Sequence, residues 1–145
     1  MIRKVAIVTV FALVVLQFFP SSRNLNSDLV ASDISIVKHV PSDVMELLHV
    51  ACYDCHSNNT RYPWYASVQP LGWWINRHVA QGKHHLNFSD FGKYSIKKSN
   101  HKLDEIAEIV GEGEMPLGSY SLMHASARLN SNQRQLLINW AKQAQ

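Results

Sequence analysis

Apolar residues follow two different patterns along this chain. Near the start they form an almost continuous run, Val5 to Phe19, stopped by Pro20. Further on they recur at three- and four-residue spacings, which places them on one face of successive helices. Val44, Leu47, Leu48 and Ala51 mark the first such face. Asp43, with Glu46 three residues later, fits the acid-first form of a capping box at its start. A second helix is predicted from about Leu71 to Gln81, stopped by Gly82, and a third carries Leu103, Ile106, Ala107 and Val110 and ends at Gly111. Asn130 or Ser131 caps a last helix with Leu136, Leu137, Trp140 and Ala141 on its inner face.

The intervening segments carry turn chemistry. Residues 57–63 are rich in Ser, Asn and Pro, residues 83–100 read as an irregular loop anchored by Leu86, Phe88 and Phe91, and residues 113–118 as a further loop. No stretch alternates as a strand does, and no internal repeat is visible. The predicted class is all-α, with about four helices. Residues 1–20 are expected to be an N-terminal signal anchor, residues 21–40 a polar tether, and residues 41–145 one compact domain.

Charge refines the first segment. Arg3 and Lys4 precede the apolar run, and no small-x-small cleavage site follows it. That arrangement predicts an uncleaved membrane anchor with the domain on the outer, periplasmic face of the inner membrane. A removed signal peptide, leaving the domain free in the periplasm, is the alternative. The net charge of +3 is modest and two of its units sit in that flank. Nothing resembles the basic footprint of a nucleic-acid binder.

The chemistry lies in Cys52-Tyr53-Asp54-Cys55-His56, the C-x-x-C-H spacing of covalent c-type haem attachment. Positions i, i+3 and i+4 share one face of a helical turn. Two thiols can therefore reach two porphyrin vinyl groups while the following imidazole reaches the iron. Cys52 and Cys55 are thus the expected thioether positions, and His56 the expected axial ligand. These are the only two cysteines of the chain. A zinc site would want a second pair of ligands at fixed spacing, and a thiol-redox site a strand–helix context. Neither is found. Export agrees with this chemistry, since covalent haem ligation takes place on the far side of the membrane.

A single histidine leaves the sixth iron position open or filled by a second side chain, Met or His in low-spin electron-transfer proteins. Met115 is the expected ligand. It stands in a loop between two helices and is followed by Pro116, which stiffens the backbone. His124 is the main competitor and the His84-His85 pair the next, while Met45 lies on the helix before the motif and Met123 reads as a packing residue beside His124. Tyr62, Trp64, Tyr65, Trp73 and Trp74 are candidates for a haem wall or for plain core, and Arg61 and Arg128 for propionate partners or solvated surface. A backbone carbonyl near Pro63 or Pro70 is the expected acceptor for the His56 Nδ1 proton.

The run Ala51 to Asn58, with Thr60 and Tyr62-Pro63-Trp64-Tyr65, resembles the small bacterial haem-binding domain proteins common in Bacteroidetes-type genomes. The likeness continues through Pro70, Trp74, His78, Gly82, Leu86-Asn87-Phe88-Ser89, Glu114-Met115-Pro116-Leu117, Tyr120, His124, Ala127, Leu129 and Trp140, covering roughly residues 40–142, and the N-terminal anchor also matches. It implies a cytochrome c-like fold, one covalent haem c, and His56 with Met115 as the axial pair. The function expected is one-electron transfer between periplasmic or inner-membrane redox partners. A haem-based sensor or a peroxidase-like enzyme with a displaceable sixth ligand is the alternative.

Overall fold

A computed structural model describes residues 1–26 and 30–145. Eight helices and three 3-10 segments follow one another, and no strand forms among the described residues. The all-α expectation holds. The long helices of the domain are α3 (Ser42–Ala51), α5 (Leu71–His85), α6 (Ile96–Glu112) and α8 (Ser131–Gln143). These are the four that the periodicity predicts. Shorter pieces fill the gaps: α2 (Ile34–Val37), α4 (Tyr53–His56) and α7 (Gly118–Met123), with 3-10 turns at Trp64–Ser67, Phe88–Lys93 and Ala125–Ala127.

The core forms where α6 and α8 pack together and α3 lies across α8. Leu48, Leu103 and Leu137 are fully removed from solvent there, with Phe88 and Phe91 entering from the 3-10 turn. Leu137→Ala leaves a void that its close-packed neighbours can only partly fill. A loss of about 3 kcal/mol is expected, read as a lower denaturant midpoint at unchanged slope.

Several boundaries differ from expectation for local reasons. Pro41, not Asp43, is the N-cap of α3. The Asp43 carboxylate accepts from Val44 N at 2.9 Å, one residue on, and no capping box closes. Helix α6 passes through Gly111 and stops at Gly113, whose φ of +79° is the left-handed conformation that favours glycine at a helix end. Ser95 caps its start, so the expected loop yields its last residues to helix. Asn130 caps α8 through a full capping box with Gln133.

The N-terminal segment brings the largest corrections. Helix α1 (Ile2–Leu16) has 15 residues and buries none. At 1.5 Å per residue it is about 22 Å long, against roughly 30 Å of bilayer hydrocarbon. Among the described residues no helix is long and apolar enough to cross a membrane, so an anchor of spanning length is not supported. The helix ends because Gln17 turns its side chain back to Leu13 O and across to Gln69 O, 2.7 and 3.1 Å away.

Nor are residues 21–40 a free tether. Asn24 donates from its side chain to Ser57 O and Thr60 Oγ1, both at 2.9 Å, and accepts from Lys83 Nζ at 2.6 Å. Asn26 N bonds Asn58 O, and Leu25 pairs with Asn59 in an isolated bridge. Ile34 is fully buried in the core. The described part of this stretch is a strap laid across the domain; residues 27–29 lie outside the described residues.

Candidate haem site

The attachment motif begins where α3 ends. Cys52 has φ −129° and ψ −41°, which breaks the helix and starts a new turn, α4. Cys55 N and His56 N both bond Cys52 O, at 3.1 and 2.9 Å. That closes a single turn carrying Cys52, Cys55 and His56, as the spacing predicts. Both cysteines are free thiols, and burial pushes Cys52 up to about 12 and Cys55 up to about 11.

His56 Nδ1 lies 3.0 Å from Leu86 O. A carbonyl only accepts, so the proton sits on Nδ1 and Nε2 keeps its lone pair for a metal. The acceptor is therefore Leu86, not a carbonyl near Pro63 or Pro70. Burial also pulls His56 below its ordinary value, against the pull of its Leu86 and Gly82 backbone bonds, which keeps the ring neutral.

Gly82 lies inside helix α5. Helix α5 does not stop there but continues to His85, because Gly82 is where it crosses the motif. A Cβ at this position would stand 2.6 Å from Cys55 O, a backbone atom with nowhere to go. Gly82→Ala should push α5 off α4, cost about 1–3 kcal/mol, and lower haem content in the purified protein. Full haem loading with unchanged stability would contradict this contact.

The two spacer residues of the motif are structural. Tyr53 donates to Asp33 Oδ1 at 2.9 Å and stacks on Phe88, 5.1 Å between centroids. Asp54 is 7% exposed and accepts from Tyr120 Oη at 2.7 Å and from Arg61 N at 3.2 Å. Burial and the Asp54 bond push the Tyr120 phenol upward, so it remains a donor. Tyr120 stands on α7, a helix the hydrophobic pattern does not show, and it clips that segment to the motif. The resemblance includes Tyr120 without giving it this role.

Beside the motif opens a shallow cleft with a cavity volume of about 70 Å³. Cys55 and Asp54 form its floor, and Tyr65, Trp74, Ile75 and Val79 line one side. Leu117, Tyr120, Met123 and His124 come from the α7 region. Tyr65 and Trp74 thus wall the cleft. Tyr62 instead bonds Asn76 through its hydroxyl, while Trp64 and Trp73 are exposed. Arg61 lines the cleft and pairs with Asp54 at 3.4 Å, whereas Arg128 is spent on Ser121 O and Leu122 O.

The axial candidates separate. Cys55 lines the cleft, whereas Cys52 packs against the core, and His56, its ring 6.1 Å from that of Phe88, is not among the lining residues either. Met115 is not among the lining residues. Its carbonyl accepts from Arg134 at 3.2 Å, and Leu117, two residues on, reaches the cleft. His124 does line it, with Nδ1 donating to Tyr120 O at 3.0 Å. His78 has the same arrangement with Trp74 O at 2.8 Å. The His84-His85 pair packs ring to ring at the end of α5.

Two thiols and an imidazole of fixed tautomer share one turn, a donor set that fits a haem, and of the three only Cys55 lines the apolar, aromatic-walled cleft beside it. Among the described residues no group of three or more His, Cys, Asp and Glu is placed to hold a metal ion. The class defined is an all-α haem-holding module. The chain belongs to the haem-binding domain family, whose model matches residues 11–143. The match takes in the strap as well as the helical domain. No curated relative and no solved structure matches the chain.

Proposed function

We propose that this protein is an exported one-haem c-type electron carrier, held at the outer face of the inner membrane by its N-terminal segment. The observation that carries the reading is the single turn on which Cys52 and Cys55 stand beside His56, with Leu86 O holding the His56 proton away from Nε2. When bound, haem supplies a one-electron change at iron, and the protein sets its potential and access. Cys52 and Cys55 retain it by thioether bonds. His56 is the proximal ligand, its ring direction fixed by Leu86. Met115 is the proposed sixth ligand, its loop held by the Arg134 bond to its carbonyl. Tyr65, Trp74 and Val79 exclude water from the cleft, and Arg61 stands at it for a propionate.

A second reading is favoured by one observation: the donors that line the cleft are His124, His78 and Met123, with Met115 outside. A sixth position that is weakly or exchangeably filled would suit a sensor of small ligands. Absorption spectra of the exported protein decide between the two. An electron carrier should be low-spin in both oxidation states, titrate as one electron, and resist carbon monoxide once reduced. Prompt carbon monoxide binding by the reduced protein would favour the sensor.

A further inference from the structure

The root of α1 is fixed to one corner of the domain. Gln17 bonds Gln69 in both directions, and Trp73 Nε1 donates to Phe19 O at 2.8 Å. Around that corner stand Phe18, Phe19, Trp64, Val68, Leu71 and Trp73, with exposures running from 37% at Trp73 to 81% at Trp64. Four of the six are aromatic. Folding would ordinarily cover such side chains, and here they stand exposed beside an apolar helix that buries nothing.

Charge points to what covers it. Residues 1–27 and 55–89 contain no Asp or Glu, although the chain has 11 such residues. Arg23, Arg61, Arg77 and Lys83 lie within these stretches, so α5 and the start of the strap, residues 21–26, carry no acidic side chain. Exposed tryptophan beside fixed cations is the chemistry of a bilayer interface with anionic headgroups. Helix α1 is shorter than the hydrocarbon it would enter, and a domain lowered into the headgroup layer removes part of that mismatch.

We propose that this corner is a lipid-contacting surface that seats the domain in an anionic membrane interface with a fixed orientation. The proposal rests on the reading that α1 enters a bilayer, and it adds the face and the lipid charge. Seating also sets the cleft close to the membrane, because Tyr65 lies in the 3-10 turn that Val68 follows, and Trp74 shares α5 with Leu71.

Spin labels on single added cysteines test it in the full-length holoprotein, reconstituted in vesicles of phosphatidylcholine and phosphatidylglycerol. Label uptake by the unsubstituted protein measures any background from Cys52 and Cys55. Val10→Cys reports on α1, Val68→Cys and Leu71→Cys on the corner, and Glu108→Cys on α6. Labels at Val68 and Leu71 should meet dissolved oxygen several-fold more readily than a water-soluble nickel chelate, with the order reversed at Glu108. The preference should fall when phosphatidylglycerol is omitted. A lipid-buried label at Val10 with aqueous labels at Val68 and Leu71 would overturn the seating while leaving α1 in the membrane. Labels at the corner shielded from both reagents would mean a protein partner and overturn it equally. An aqueous label at Val10 would remove both readings.

Discussion

Serine at both Cys52 and Cys55 should give a protein that surrenders all its haem to acidified acetone, where the parent surrenders none. The two sulfurs are the only atoms of the chain able to form thioethers, and they sit on one turn with the imidazole. Either single substitution should keep one bond and a haem that is retained but loosely oriented. His56→Ala removes the lone pair that Leu86 O directs outward, and holoprotein yield should fall by at least tenfold. Alkylation gives an independent measure. In protein lacking haem the thiols titrate near 12 and 11, so at pH 8 only about one in 10⁴ and one in 10³ are thiolate. Native labelling is therefore slow with or without haem, and the informative assay follows denaturation: free cysteines label fully and thioether-bonded ones not at all. The same shifts carry a pH dependence. The folded thiols bind their protons more tightly than the ordinary value of 9.0 allows, so that part of the haem-free protein's stability is present below pH 9 and is lost as pH rises towards 11 and 12. Tightly held haem in the double serine variant, or full alkylation of the denatured parent, would end the covalent account.

The second large effect concerns the sixth ligand. Met115→Ala should leave covalent haem in place while removing the long-wavelength sulfur-to-iron band. The ferric protein should become largely high-spin, and the reduced protein should bind carbon monoxide. The potential should fall, because a thioether ligand raises it. Met123→Ala should do none of this: the side chain is 60% exposed on a short helix, and its loss removes cleft lining only. His124→Ala is the decisive companion. With Nδ1 bonded to Tyr120 O, its Nε2 is ready to ligate, so an unchanged Met115→Ala spectrum with lost low-spin character in His124→Ala transfers the ligand to His124. The expected potential then drops. Proline at 116 makes Met115→Ala a clean substitution, since the loop keeps its stiffness.

How far the sequence disclosed this depended on whether a feature is periodic. Helices α3, α5, α6 and α8 announce themselves through apolar residues three and four apart, and the motif through its spacing. Glycine is ambiguous. At Gly82 it marks the close passage of α5 over Cys55, whereas at Gly113 it ends a helix, and only the facing backbone tells the two apart. The strap escaped because its hold is made of polar side chains meeting backbone and side-chain atoms 33 and more residues away, a pattern with no period. Helix α7 escaped because it has six residues and buries none. The Leu86 acceptor follows from the turn after α5, where a chain expected to be leaving its helix instead brings a carbonyl beneath His56.

The strap also dictates an order of events. Synthesis delivers Asn24 first, yet all of its partners come later: Ser57, Thr60, Tyr62 and finally Lys83. Until residue 83 has emerged the segment has nothing complete to close upon, and the turn bearing Cys52 and Cys55 stands in an open chain, its thiols at their ordinary acidity. Once the strap closes and α5 settles over the motif, those thiols are protonated and poor nucleophiles. On the covalent reading proposed above, haem would have to be joined before that closure, in an interval of biogenesis that folding brings to an end.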